Sequence, residues 1–95
     1  MTNILDYAFS YCSGITSITI PECVTNIGAY AFHACSSLTS VTIPDSVTYI
    51  GEGAFAYCSR LTSVTITANG GNAANVKQMM INAGVSESIT WNMPN

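Results

Sequence analysis

The chain has 95 residues, enough for one small domain with a modest core. Only Lys77 and Arg60 are basic, against Asp6, Glu22, Asp45, Glu52 and Glu87. The net charge of −3 argues against a nucleic-acid role and leaves Ser, Thr and Asn to carry the polarity. No apolar run reaches the length of a membrane span. The opening "MTNILDYAF" also lacks the basic start and apolar stretch of a secretory signal, which predicts either a cytosolic protein or a piece of a longer one.

A shift of 23 residues superposes Ala8-Phe9 on Ala31-Phe32 and Ala54-Phe55, and Cys12 on Cys35 and Cys58. Four apolar columns follow in step: Ile4, Ile27 and Ile50; Ile15, Leu38 and Leu61; Ile18, Val41 and Val64; Ile20, Ile43 and Ile66. Apolar columns at one fixed period predict stacked coils.

Within each coil, "ITSITI" at 15 to 20 and its copies "LTSVTI" at 38 to 43 and 61 to 66 alternate polar and apolar residues and are rich in β-branched side chains. They predict short strands that stack into a parallel sheet. Pro21 and Pro44 end that ladder by removing a backbone donor, and "VTNIG" and "VTYIG" then predict a second short strand or extended segment. Gly28 and Gly51 permit a turn, after which "AYAFHAC" and "EGAFAYC" predict a tight helical turn with Phe32 and Phe55 pointing into the core.

The tail leaves the repeat after Asn69. "GGNAANVKQMMINAG" predicts a helix of about three turns, N-capped by Asn72, with Val76, Met79, Met80 and Ala83 on one face and a stop at Gly84. "SESITWNM" then alternates, with Ile89, Trp91 and Met93 on one side. Ser88-Ile89-Thr90 reproduces Ser63-Val64-Thr65 at a displacement of 25, which predicts a fourth parallel strand reached by a helical crossover. The expected architecture is an α/β repeat: a short solenoid of about three 23-residue coils with a parallel sheet over residues 1–69, closed by a helix-strand cap over 70–95.

The pattern Ile15-x-x-Ile18-x-Ile20-x-x-Cys23, repeated as Leu38-x-x-Val41-x-Ile43-x-x-Ser46 and Leu61-x-x-Val64-x-Ile66-x-x-Asn69, resembles the leucine-rich repeat. The phrase "IPxSVTxIGxxAFxxCSxL", complete from Ile43 to Leu61, is similar to the BspA-like, Treponema pallidum type of that repeat, and the resemblance covers residues 4 to 69. It implies a non-enzymatic surface or secreted protein whose longer relatives adhere to host or neighbouring cells, with no cofactor.

With four strands in register, Ser17, Ser40, Ser63 and Ser88 form one outward column, and Thr19, Thr42, Thr65 and Thr90 another. Small β-branched and hydroxyl residues suit the solvated side of any exposed sheet. The competing reading is a low-charge contact surface for a protein or glycan. A flat Thr array could also match ice, but the curvature of leucine-rich sheets weighs against that.

Cys12, Cys35 and Cys58 share one column, so neighbours lie about one strand spacing, ~4.8 Å, apart. Parallel Cβ vectors oppose a disulfide at that distance, and no close-set cysteine pair suggests a metal, so free core thiols are expected. Cys23 shares its column with Ser46 and Asn69, where the leucine-rich-repeat resemblance implies a side chain that serves backbone groups after the strand. His33 aligns with Ser10 and Ala56 and is expected to face solvent without a catalytic role; Tyr7, Tyr30, Tyr11 and Tyr57 fall on the turn side as a small aromatic patch. The first coil has no cap of its own, which predicts weak self-association through that end.

Overall fold

The structure, a computed structural model, describes residues 3–44, 46–67 and 73–92. Among these residues, seven short strands and one helix follow in the order β1 (Asn3–Ile4), β2 (Ser17–Thr19), β3 (Asn26–Ile27), β4 (Ser40–Pro44), β5 (Tyr49–Ile50), β6 (Ser63–Thr67), α1 (Ala73–Asn82) and β7 (Thr90–Asn92). They form two parallel sheets, β2-β4-β6-β7 and β1-β3-β5. The expected coils are present with their 23-residue period, since Ser17 pairs with Ser40 and Ser40 with Ser63, while Ile4, Ile27 and Ile50 line up in the smaller sheet. The strand β4 stops at Pro44, which pairs with Thr67.

The third side of each coil is not the helical turn expected from "AYAFHAC". It is a run of consecutive β-turns: Ala8, Ser10 and Cys12 each donate an N–H to the carbonyl three residues back, on Leu5, Tyr7 and Phe9. The intervening amides of Tyr7, Phe9 and Tyr11 point along the stack and donate to Ala29, Ala31 and His33 of the next coil. Left-handed backbone recurs at Tyr7, Tyr30 and Gly53, and again at Tyr11, Ala34 and Tyr57, with φ between 57° and 65°. The reason is accounting. A helical turn directs its amides back into the same coil, whereas alternating β-turns leave every second N–H to bind the coils together.

Gly28 and Gly51 are required by proximity rather than by backbone conformation. A Cβ on Gly51 would lie 2.4 Å from the Ala29 amide nitrogen of the coil above, and one on Gly28 would lie 2.5 Å from that of Asp6. Glycine lets the coils close to hydrogen-bonding distance, with the Gly51 N–H 2.7 Å from the Ile27 carbonyl.

The core is one cluster of stacked columns. Phe9, Phe32 and Phe55 form a ring ladder with centroids 5.2 Å apart and interplanar angles of 4° and 9°. Phe32 and Phe55 are 0% and 1% exposed, whereas Phe9, in the first coil, is 37% exposed. At the other end α1 packs against β6 and β5 through Val76 and Met80 and covers the third coil. The helix ends in a paired closure: the Gly84 N–H reaches the Ile81 carbonyl, and the Val85 N–H reaches that of Met80 at 3.0 Å. Gly84 has φ 110°, and Ala83 then accepts the Phe55 N–H, as Ala54 accepts that of Phe32. The predicted cap Asn72, along with Asn69 and Met93, lies outside the described residues.

The fourth strand is parallel to β6, but its register differs from the expected one. Thr90 pairs with Ser63, Trp91 with Val64 and Asn92 with Thr65, a displacement of 27 rather than 25. Chain length explains the shift. Nine residues separate Ala54 from Ser63, and with Ala83 held in the Ala54 column, Ser88 comes only five residues on. The two-residue shift keeps the alternation and brings Trp91 against the core below Val64.

Candidate interaction surface

The outward columns of the larger sheet are Ser17, Ser40, Ser63 and Thr90 in one line, and Thr19, Thr42, Thr65 and Asn92 in the other. Seven of the eight predicted contact residues therefore share this face. Thr90 occupies the end of the serine column rather than of the threonine column. Ser88 does not join. It sits in the turn before β7, where its amide donates to the Ser86 hydroxyl at 3.2 Å and the two hydroxyls lie 2.8 Å apart. Asn92 takes the place that sequence reasoning gave to Thr90, and its side-chain amide donates to Thr65 Oγ1 at 3.4 Å.

The face is bordered by a threonine ladder already engaged within the fold. Thr39 Oγ1 donates to the Thr16 carbonyl at 3.0 Å and Thr62 Oγ1 to the Thr39 carbonyl at 3.2 Å. The hydroxyls of Ser40, Thr42 and Ser63 take no part in that ladder and stand half-exposed over the sheet. The sheet holds them in two straight rows without a formal charge, so the surface offers donors and acceptors at fixed spacing.

The cysteine column is a set of free thiols: Cys35 is buried and Cys12 and Cys58 half-buried. Cys35 donates its S–H to the Phe9 carbonyl and Cys58 to the Phe32 carbonyl, both at 3.2 Å. Burial pushes the Cys58 thiol up to about 11 and raises that of Cys35 as well. That direction disfavours the thiolate needed for nucleophilic or redox chemistry. Ser46 in the Cys23 column behaves as expected, donating to the Val24 carbonyl at 3.0 Å. Among the described residues no three His, Cys, Asp or Glu side chains converge on a metal position. Nor, among the described residues, is any helix long and apolar enough to cross a membrane.

His33 is more engaged than its solitary position in the sequence suggests. Its ring meets those of Tyr11, Tyr30 and Tyr57 edge to face, with centroids 5.3, 5.5 and 5.3 Å away. Tyr7 stacks on Tyr30 at 5.4 Å. The readable signal was its column: Ser10 above and Ala56 below are small enough to let one imidazole reach tyrosines on both neighbouring coils.

Residues 1–88 match the model of the BspA type leucine rich repeat region (6 copies). Among solved structures, the crystal structure of a T. pallidum leucine-rich repeat protein is similar at 38% identity with a TM-score of 0.66, covering 68% of this chain. The chain spans only 30% of that protein's length. No curated protein sequence matches significantly.

Proposed function

Because the chain belongs to the BspA-type leucine-rich repeat family, a family of protein-interaction modules, we propose that it is a non-enzymatic adhesion module whose larger sheet contacts a protein or glycan on a cell surface or in the matrix. The observation that carries this reading is the pair of in-register polar columns, Ser17–Ser40–Ser63–Thr90 and Thr19–Thr42–Thr65–Asn92, on a sheet without formal charge. A surface or secreted location goes with it. A short repeat stack gains affinity by presenting many small contacts at once on a rigid platform, so an extended partner suits it better than a small ligand.

The test is binding of the purified chain to immobilised extracellular-matrix proteins and a glycan panel, beside a folded Ser40→Glu, Ser63→Glu double variant. Saturable binding that the variant loses supports adhesion through the strand face. The second reading is a spacer that only extends a longer stack. The threonine ladder favours it, because those hydroxyls serve coil-to-coil bonding and not the surface. Absence of binding in both proteins would make the spacer the better account.

A further inference from the structure

The turn side of the stack carries a second surface of different chemistry. Tyr7, Tyr11 and Tyr57 are 61%, 71% and 77% exposed, yet their rings are tied into one layer with Tyr30 and His33. Edge-to-face and stacked contacts hold exposed rings in place before any partner arrives, which lowers the ordering cost of binding.

These tyrosines also stand where backbone conformation disfavours them. Tyr7 and Tyr30 have φ of 61° and 57°, and the third coil places Gly53 at the same point with φ 65°. A side chain in left-handed backbone is strained in a way that glycine avoids. Gly53 shows that glycine serves this turn, so the fold itself does not need tyrosine there. It also makes room for the patch: a Cβ on Gly53 would lie 2.5 Å from the Tyr30 ring. Strain kept at exposed aromatic positions points to a use outside folding.

Two carboxylates lie beside the rings. The negative charge of the Glu52 carboxylate raises the titration point of the Tyr30 phenol, and the Asp6 carboxylate accepts the Ala29 amide at 2.8 Å beside the patch. Of the two basic residues, Lys77 lies over the Trp91 ring, 5.3 Å from its centroid, in the only such contact among the described residues. Among the described residues no lysine or arginine is seated over a tyrosine ring, and the molecule as a whole is acidic.

We propose that this tyrosine face is a second interaction surface, and that it takes arginine- or lysine-bearing segments of a partner protein. Cations seat over the tyrosine rings, as Lys77 does over Trp91 within the chain, while Glu52 and Asp6 supply the counter-charge. This deepens the protein-interaction reading, on which it rests, and assigns the partner's chemistry to a face separate from the hydroxyl columns.

The test is titration at low and high salt with a capped Arg-Gly repeat peptide, followed by calorimetry. The same peptide with citrulline in place of arginine serves as the neutral control, and maltohexaose as a neutral glycan. The expected result is binding of the arginine peptide that weakens with salt and is about tenfold weaker in a Tyr11→Gly, Tyr57→Gly variant. That variant relieves two left-handed side chains, so its circular dichroism and melting point should match or exceed wild type. Equal binding of the citrulline peptide, preference for maltohexaose, unchanged affinity in the tyrosine variant, or no arginine-peptide binding would each overturn the proposal. The Ser40→Glu, Ser63→Glu variant keeps its arginine-peptide affinity if the two faces are separate. Its behaviour toward matrix proteins reports on the adhesion reading independently.

Discussion

Equivalent residues in successive coils have the same neighbours in the sequence pattern but different covers in the stack, and substitutions separate the two effects. Phe32 lies between two rings and is 0% exposed, so Phe32→Ala should cost about 3–5 kcal/mol by urea denaturation. Phe9→Ala, at the same repeat position with only one ring neighbour, should cost less than half as much. Equal losses would mean that the ring ladder does not carry the core energy.

Cys58 supplies a pH dependence with a definite sign. Its thiol is raised in the folded chain, so the stability it contributes is complete below the ordinary thiol value and falls as pH climbs from about 9 to about 11. Unfolding midpoints should drop across that window, and a Cys58→Ala variant should drop less. At this scale the columns were legible because burial repeats every 23 residues. For His33 only the small column neighbours Ser10 and Ala56 were legible; its ring contacts arise from turns whose backbone conformation the residue types did not announce. Tyrosine in left-handed backbone is unusual, and propensity alone points elsewhere.

At the scale of elements, α1 matched its expected face and its stop. Val76, Met80 and Ala83 are buried, Met79 is packed half-buried against the core, and Gly84 closes the helix. Gly84→Ala should destabilise by more than about 1 kcal/mol, because φ is 110° and the new Cβ would come within 2.8 Å of Ala56 Cα. The single tryptophan reports on the outcome. Trp91 donates its indole N–H to the Glu87 carbonyl at 3.2 Å, and its emission should shift to the red if the helix closure fails and β7 detaches. The register of β7 was misread because Ser-Ile-Thr matches Ser-Val-Thr locally. A strand's register is set by where its preceding turn anchors, here at Ala83, and not by the best local likeness. The helical turns were misread for a related reason: short alanine- and aromatic-rich segments suit one helical turn as well as paired β-turns, and only the need for coil-to-coil donors decides between them.

At the scale of the molecule the two ends differ. Helix α1 and β7 cover the third coil, while Phe9, Ile15 and Ile18 of the first coil keep part of their apolar surface open. We therefore expect the isolated chain to self-associate weakly through the first coil. Light scattering should show a mass rising from monomer toward dimer across a hundredfold concentration range, and Phe9→Ser should abolish the rise. A constant monomeric mass would remove this expectation. The solenoid architecture was legible because one 23-residue period runs through the columns from Ile4 to Ile66. The partner is not legible in the same way, because a solvated hydroxyl column and a binding one are built from the same residues.

Whether the strand face carries recognition is decided by a charge-matched comparison of the two faces. Affinity for one immobilised matrix protein would be measured for wild type, for Ser40→Glu, Ser63→Glu on the sheet, and for Ser36→Glu, Ser59→Glu at exposed turn positions of the same coils. All three proteins carry folds of equal melting point if the substitutions are confined to the surface. Recognition through the strand face predicts at least a tenfold loss for the sheet variant, about 1.4 kcal/mol, and near wild-type affinity for the turn variant. Retained affinity in the sheet variant, with or without loss in the turn variant, would contradict it.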